Sequence, residues 1–186
     1  REINTSDWNE IKIIWEWYDP KNWEITWNLT AQTTKIIAEI AYKCNDAKLV
    51  KTENWYSLLW DPTEWALLTM AEKVTSGILD SDKNIENVFP FDSDRKLMST
   101  LNEEEGRYRV HTKGAIDNIL VKSDRVLVNG DIVPLTQEMK DKILKAAEEM
   151  SDSALRVLGV AFKDTESVIS SEEMEKNLVV VGIVGM

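Results

Sequence analysis

The residue types best suited to bind a ligand occur in short segments that are far apart in the sequence. Phe91 comes five residues before Lys96, so a planar base could stack on the phenyl ring while the ammonium group reaches a phosphate. Lys113 stands directly before Gly114, a residue that lets a ligand approach the backbone closely. The structural alternative for the first segment is a strand end with solvated charges.

Two further segments add a carboxylate and a guanidinium group. Glu64 closes the segment that begins at Asp61, where a carboxylate could accept hydrogen bonds from an exocyclic amine; the alternative is a helix cap. Arg156 is a lone cation among apolar residues of a predicted strand, and a buried arginine usually has an anionic partner. The alternative for Arg156 is an internal salt bridge. Each segment alone is therefore compatible with a structural role.

Strands and helices are predicted along the whole sequence, and they must position these segments. Strands are predicted at 11–18, 24–30, 87–91, 96–101, 108–112, 155–162 and 178–184, with further hairpins at 47–59 and 125–133. Helices are predicted at 33–43, from 61, and at 114–121, 136–151 and 170–176. Thr33 or Thr34 and Asp61 are the candidate N-caps, and Asn129-Gly130 is the predicted hairpin turn. The pattern predicts an α/β (α+β) fold with a mainly antiparallel twisted sheet flanked by helices.

The composition excludes several classes of protein. The 33 acidic and 22 basic residues give a net charge of −11, which repels a polyanion, so nucleic acid is not an expected partner. The single cysteine, Cys44, and the single histidine, His111, can form neither a disulfide nor a zinc cluster, so we expect no metal site. No apolar run approaches the ~18 residues that span a bilayer.

Tryptophan and glycine are unevenly distributed along the chain. All 8 tryptophans lie between Trp8 and Trp65, whereas all 7 glycines lie between Gly77 and Gly185. Trp55 follows an asparagine in a predicted hairpin turn, a position where glycine is favoured because the backbone there needs positive φ. This pattern leads to the hypothesis that these tryptophans replace glycines.

In their order along the chain, the segments resemble the nucleotide-binding (N) domain of P-type cation pumps, most closely the calcium-pump branch. The matching segments are Cys44-Asn-Asp, Asp61-Pro-Thr-Glu-Trp-Ala-Leu67, Phe91-Asp-Ser-Asp-Arg-Lys-Leu-Met-Ser99, Lys113-Gly-Ala115 and Leu155-Arg-Val-Leu158. The resemblance covers almost the whole chain. It departs from the family pattern at Trp60 and Trp65, which flank the Thr-Glu pair where the family has small residues.

The resemblance implies an adenine site. Phe91 would stack on the adenine ring, and Lys113, Gly114 and Ala115 would line the base pocket. Glu64 would contact the adenine amino group through hydrogen bonds.

The resemblance also implies contacts to the rest of the nucleotide. Lys96 would lie near the phosphates, Arg156 would reach the ribose and β-phosphate, and Leu158 would pack nearby. The sequence has no G-x-x-x-x-G-K-[ST] phosphate-binding loop, so we expect a modest affinity that depends on one stacking contact and a few charge-assisted hydrogen bonds.

The reaction implied for the family is transfer of the ATP γ-phosphoryl group to an aspartate in a DKTGT motif, with Mg²⁺ bound to the nucleotide. That motif is absent, and Asp80-Ser-Asp82 and Asp92-Ser-Asp94 are interpreted as surface acids. We therefore expect no catalytic residue in this chain. It would present ATP to a phosphorylation domain rather than complete hydrolysis.

The remaining expectations concern the context of the domain. Residues 1–186 are expected to form one domain, with about 1–10 and 177–186 as connecting segments, and the apolar run 178–184 to pair with a segment outside this sequence. The implied partners are the phosphorylation, actuator and transmembrane domains of a calcium-transporting ATPase. The implied location is a soluble, monomeric cytoplasmic domain of an integral membrane protein. Two alternatives are an interaction or regulatory domain without a nucleotide and a free-standing phosphohydrolase.

Overall fold

A computed structural model describes the backbone of most of the chain. The described residues are 2–5, 10–15, 23–25, 32–47, 50–51, 56–57, 61–104 and 106–186. The strands are β1 (Glu2–Thr5), β2 (Glu10–Trp15), β3 (Trp23–Ile25), β4 (Val50–Lys51), β5 (Tyr56–Ser57), β6 (Ile85–Asp92), β7 (Leu97–Glu104), β8 (Arg107–Gly114), β9 (Ser123–Val128), β10 (Asp131–Pro134), β11 (Val157–Thr165) and β12 (Leu178–Gly185). The helices are α1 (Gln32–Lys43), α2 (Pro62–Val74), α3 (Ile116–Lys122), α4 (Gln137–Asp152) and α5 (Ser171–Met174). All the predicted helices and the 125–133 hairpin are present, and of the two earlier hairpins the described residues show the paired strands β2–β3 and β4–β5.

The sheet is mainly antiparallel, which confirms the predicted fold class. Its main path has the order β3-β2-β1-β12-β11-β8-β7-β6, and β9 pairs with both β10 and β12. Among the described strands, the pairing of β12 with β9 is parallel and the others are antiparallel. The β4–β5 hairpin forms a separate two-stranded sheet.

Strand β12 is buried along its whole length, as its run of valine and isoleucine predicts. One of its edges pairs with β11, and the other pairs with β9 near Leu178 and with β1 near Gly185. The expectation that this run pairs with a segment outside the sequence is therefore wrong. The reason is that β1, from the start of the chain, supplies the missing hydrogen bonds.

Helices cover both faces of the sheet because successive strand residues point to opposite sides. On one face, Ile37 and Ile40 of α1 and Leu67 of α2 pack with strand residues such as Met98 and Phe162. The other face packs against α3 and α4, and its core residues include Leu97, Ile119, Ile143, Val180 and Ile183. Lys113 belongs to the face covered by α1 and α2, because its neighbours in register are Met98 and Val160.

The helix starts test the predicted caps. Asp61 caps α2 as predicted, with its Oδ1 accepting from Thr63 N at 2.7 Å ahead of a proline at the first helical position. The cap prediction for Thr33 or Thr34 is wrong, because α1 already begins at Gln32 and both threonines are buried inside its first turn. The predicted Asn129-Gly130 turn is confirmed, with φ of 52° and 90°.

Only some of the tryptophans lie within the described residues, so the hypothesis that they replace glycines can be examined at few positions. Trp65 lies inside α2 with 7% of its surface exposed, so a helical core position accommodates the indole ring there. Trp23 is the first residue of β3. Trp55 and Trp60 lie outside the described residues. No helix in the described part of the chain is long and apolar enough to cross a membrane.

Candidate functional site

A buried ion pair joins strand β8 to the first turn of helix α2. Lys113 Nζ donates to Glu64 Oε1 at 2.6 Å and also to Oε2. The Lys113 side chain is 5% exposed and the Glu64 side chain 19% exposed. The structure therefore brings together two residues that are 49 positions apart and that sequence analysis placed in one pocket. The Glu64 carboxylate is therefore the part of the ion pair that is more accessible to solvent.

Asn45 braces this ion pair from behind. Its Nδ2 donates to Glu64 O at 2.9 Å and to Ala41 O at 3.2 Å, while its Oδ1 accepts from Ala47 N at 2.9 Å. The end of α1 is thereby fixed to the start of α2. Sequence analysis quoted Asn45 in the resemblance but gave it no role. The available signal was a polar residue directly after the predicted end of a helix.

Cys44 and Lys83 lie beside the same ion pair. Cys44 Sγ donates to Met98 O at 3.4 Å, and burial raises the pKa of this thiol to about 11. Cys44 is thus a buried free thiol directly after α1. Lys83 Nζ donates to Asn45 O at 2.6 Å, and burial, followed by the charge of Lys113, lowers its pKa. Two lysines, Lys83 and Lys113, therefore lie near one another, with the carboxylates of Glu64 and Asp46 close enough to act on Lys83.

Gly114 sits where the backbones of β8 and the β6–β7 turn touch. A Cβ atom built on Gly114 would lie 2.2 Å from Lys96 O and 2.9 Å from Leu97 Cα, so no side chain fits there. The next residue, Ala115, donates its N–H to Lys96 O at 3.0 Å. The Lys113-Gly-Ala115 segment is therefore in direct contact with the turn that carries Lys96.

The turn before Lys96 is fixed by its own hydrogen bonds. Asp92 Oδ1 accepts from the N–H groups of Asp94 and Arg95, each at 3.0 Å, and Asn118 Nδ2 donates to Arg95 O at 2.6 Å. Lys96 itself has a φ of 53° and an exposed side chain. The lysine is thus presented to solvent from a backbone that the surrounding turn holds in place.

The two adjacent cations of this turn have different roles. Arg95 bonds to the buried Glu175 at 2.5 Å and lies over the Phe89 ring at 3.5 Å. Its guanidinium group is thus occupied by contacts within the protein. Lys96 is the cation of the pair that remains available to a ligand in solvent.

Phe91 lies on the outer strand next to this turn. Its side chain is 62% exposed, and it falls in an irregularity of the β6–β7 pairing between Phe89 and Asp92. Strand β6 is two strands away from β8, which corresponds to about 10 Å. Phe91 therefore presents an aromatic ring to solvent on one side of the Lys113-Gly-Ala115 segment.

Arg156 lies on the opposite side of that segment. It precedes β11, and its N–H and C=O pair with Met186 O and N at 2.9 and 3.0 Å. The expectation that Arg156 is buried is wrong: its side chain is exposed, because its neighbours Leu155 and Val157 pack on the core beside α3 and α4 and the residue between them points the other way. Its charge contributes to lowering the pKa of Asp61, after the hydrogen bonds from Thr63. Leu158 is partly buried and packs on the core below α1 and α2.

The predicted site residues therefore share one end of the sheet. Gly114 stands in register with Leu97 of β7 and Gly159 of β11, so the start of β7, the end of β8 and the start of β11 meet there. Glu64, Lys113, Gly114, Ala115 and Lys96 are connected by direct contacts. Phe91 and Arg156 flank this group on its two sides.

Comparison with known proteins gives one family. The family model described as P-type ATPase, cytoplasmic domain N, matches residues 33–186. The chain is similar to "Calcium-transporting ATPase 1" of Bacillus cereus, with 40% identity over 86% of this chain and 18% of that protein. It is similar to "Calcium-transporting ATPase 4, endoplasmic reticulum-type" of Arabidopsis thaliana, with 31% identity over 82% of the chain and 18% of that protein.

A third relative is named for cation transport in general. The "Cation-transporting ATPase pma1" of a Synechocystis strain is 30% identical over 77% of this chain and 16% of its own length. The chain thus spans less than a fifth of the length of these relatives. The matched region includes Glu64, Phe91, Lys113 and Arg156, together with the helices and strands that position them. The chain therefore belongs to the P-type ATPase family and matches the cytoplasmic N domain of its calcium-transporting members.

Proposed function

We propose that this chain binds ATP at the end of the sheet around Lys113 and presents the nucleotide to an aspartate on another domain of a calcium-transporting P-type ATPase. The observation that carries the proposal is the ion pair of Lys113 with Glu64 beside Gly114, where no side chain can stand. A buried lysine with one partly exposed carboxylate partner provides a donor and an acceptor for the edge of a base.

The exposed residues on either side supply the other contacts. The Phe91 ring, 62% exposed, offers a face on which adenine stacks. Lys96 and Arg156, both exposed cations, supply charge to the phosphates and to the ribose and β-phosphate, respectively. Gly114 and Ala115 form the backbone floor of the pocket, with Leu158 packed beneath.

Mg²⁺ would arrive with the nucleotide, where it neutralises phosphate charge. Within the described residues, the cluster of three metal-ligating side chains is Glu39, Glu104 and His111, and it does not include any residue of the proposed nucleotide site. The chain's own contribution is therefore to bind and orient the nucleotide. The phosphoryl acceptor belongs to another domain, because the sequence lacks the DKTGT motif.

The proposal extends to the context of the domain. We infer that 1–186 form one N domain, with 1–10 and 177–186 leading to the phosphorylation domain. The actuator and transmembrane domains would complete a membrane pump whose N domain faces the cytoplasm. The names of the relatives support this assignment, since several of them are calcium-transporting ATPases.

Calorimetric titration of the chain with ATP, ADP and AMP tests the proposal. We expect Phe91→Ala to weaken all three nucleotides by about tenfold, because stacking acts on the base that they share. We expect Lys96→Ala to weaken ATP more than AMP, because its contact is to the added phosphates. Val121→Ala, which truncates an apolar side chain that is 80% exposed on α3, is the matched control and should leave binding unchanged.

Two results would contradict the proposal. One is the absence of saturable binding at millimolar ATP in a chain shown by circular dichroism to be folded. The other is equal binding by wild type, Phe91→Ala and Lys113→Ala. Either result would favour an interaction or regulatory domain without a nucleotide.

A further inference from the structure

A second group of polar side chains lies toward the other end of β8. Glu39 of α1, Glu104 of β7 and His111 of β8 place one ligand atom each within 4.8 Å of one another. His111 is completely buried, whereas the side chains of Glu39 and Glu104 are 30% and 25% exposed. Three elements thus point nitrogen and oxygen atoms at one position.

The hydrogen bonds around His111 fix which ring nitrogen carries the proton. Asn102 Nδ2 donates to Lys83 O at 2.7 Å, which orients the amide so that its Oδ1 faces His111 Nδ1 at 2.9 Å. The Thr100 hydroxyl also donates to this Oδ1, at 2.9 Å. Because Oδ1 can only accept, Nδ1 carries a hydrogen, and in the neutral ring Nε2 then carries the lone pair.

The lone pair on His111 Nε2 faces a carboxylate. Nε2 is buried without a hydrogen-bond partner, and it lies 3.5 Å from Glu104 Oε1. Two acceptors that face each other in a buried position are stabilised by a shared cation.

The two carboxylates already hold one cation. Lys43 Nζ lies 2.6 Å from Glu104 Oε1 and 3.3 Å from Glu39 Oε1. Burial, followed by the like charge of Glu104, raises the pKa of Glu39. An ammonium group is a donor only, and Nε2 has no partner, so Lys43 neutralises the carboxylates without using the imidazole.

We propose that Glu39, Glu104 and His111 bind a divalent transition-metal ion of the Zn²⁺ type, which takes the place of the Lys43 ammonium group. One imidazole nitrogen and two carboxylate oxygens suit Zn²⁺, whereas Ca²⁺ and Mg²⁺ prefer sites made of oxygen alone. The bond from Nδ1 to Asn102 is the outer contact that orients a metal-binding imidazole.

A cavity connects the proposed metal site to solvent, and nearby cations compete with the metal ion for the carboxylates. A 1080 Å³ cavity lined by Glu39, Lys43 and Glu104, among others, connects the cluster to solvent. Arg109 Nη1 lies 3.9 Å from Glu104 Oε2, but its guanidinium group is paired with Asp164 at 2.6 Å. Lys43 is therefore the main competitor, and its removal strengthens metal binding. The three ligands have no sequence spacing typical of a metal site, which explains why sequence analysis expected none.

Titration of the 186-residue chain with ZnCl₂ at neutral pH tests this site. We expect one saturable site for Zn²⁺ and none of similar affinity for MgCl₂ or CaCl₂. Glu39→Gln and Glu104→Gln should each weaken Zn²⁺ by at least about tenfold, and Lys43→Met should tighten it several-fold. Glu138→Gln is the matched control, because Glu138 is also a carboxylate paired with a lysine, Lys142 at 2.8 Å, but lies on α4.

The NMR signals of the single histidine report directly on this site, because Zn²⁺ bound elsewhere on the surface would not change them. The ¹⁵N signals of the imidazole belong to His111 alone, so Zn²⁺ should shift Nε2 strongly in wild type and much less in Glu39→Gln at the same subsaturating Zn²⁺ concentration. A Zn²⁺ titration that leaves the imidazole signals unchanged would overturn the proposal. Equal binding by Glu39→Gln and Glu138→Gln would overturn it as well. Neither result would affect the proposed ATP site, which uses other residues.

Discussion

Strand β8 buries two ionisable side chains on the same face of the sheet, Lys113 near its end and His111 near its middle, but their surroundings differ. Lys113 forms an ion pair with Glu64, and Lys83 and Arg156 are further cations in its neighbourhood. His111 lies beside two carboxylates that share one lysine. These two positions are only two residues apart, about 7 Å along the strand.

The difference teaches that burial alone does not decide what such a position binds. Lys113 is a buried donor near the exposed cations Lys96 and Arg156, which suits an anionic ligand, whereas the unpartnered Nε2 of His111 lies beside two carboxylates, which suits a cation. At His111 a charged side chain of the chain itself, Lys43, occupies part of the ligand's position, whereas Glu64 beside Lys113 is proposed to contact the ligand. Binding at His111 would therefore be an exchange of partners, and binding at Lys113 would add to an existing pair.

Substitution of Gly114 should have the largest effect and should affect only the Lys113 end. We expect Gly114→Ala to lower the free energy of unfolding by about 3 kcal/mol, because its Cβ would overlap Lys96 O at 2.2 Å. Chemical denaturation measures this loss. Gly106→Ala, at the other end of the hairpin, is the control: φ is +80° but the space is open, so we expect a loss of about 1 kcal/mol. Equal losses would refute the tight contact.

The ion pair should respond asymmetrically to removal of its two members. We expect Glu64→Gln to cost about 2 kcal/mol of unfolding free energy, since it leaves the buried Lys113 ammonium without a charged partner. Lys113→Met should cost only about 1 kcal/mol, because the Glu64 carboxylate is exposed enough to be hydrated. Denaturant unfolding of both variants at pH 7 measures the difference. A larger cost for Lys113→Met would contradict the assigned burial.

The smallest expected effect is a pH dependence at the His111 end. The pKa of His111 is lowered in the folded chain, so below pH 6.5 the unfolded chain binds a proton that the folded chain does not. Stability should therefore fall as the pH decreases from 6.5, by about 1 kcal/mol more in wild type than in His111→Gln by pH 5.5. Parallel pH profiles for the two proteins would show that His111 titrates normally.

Most of the fold could be predicted from the sequence because local signals agree there with the tertiary structure. The Val/Ile run of β12, the Asn129-Gly130 turn and the Asp61 cap each have a short-range cause. The start of α1 could not be predicted, because burial of Thr33 and Thr34 in the fold outweighs their preference for a cap.

The candidate site could be predicted only in part. Sequence motifs identified Glu64 and Lys113 but not the brace by Asn45, because that contact depends on how α1 meets α2. The exposure of Arg156 was missed for a similar reason, since an apolar neighbourhood in sequence does not reveal which side of the chain is covered at that point. The His111 cluster depends on three distant elements and has no sequence signal at all.

Mapping ATP on the two ends of β8 by amide NMR tests the central claim most directly. We predict saturable shifts at Glu64, Phe91, Lys96 and the Lys113-Gly-Ala115 segment, with little change around Gly106 at the far end of the strand. Lys113→Ala should reduce these shifts at equal ATP concentration. Shifts confined to the Gly106 end, or no saturable shift at millimolar ATP, would contradict the assignment of the nucleotide site.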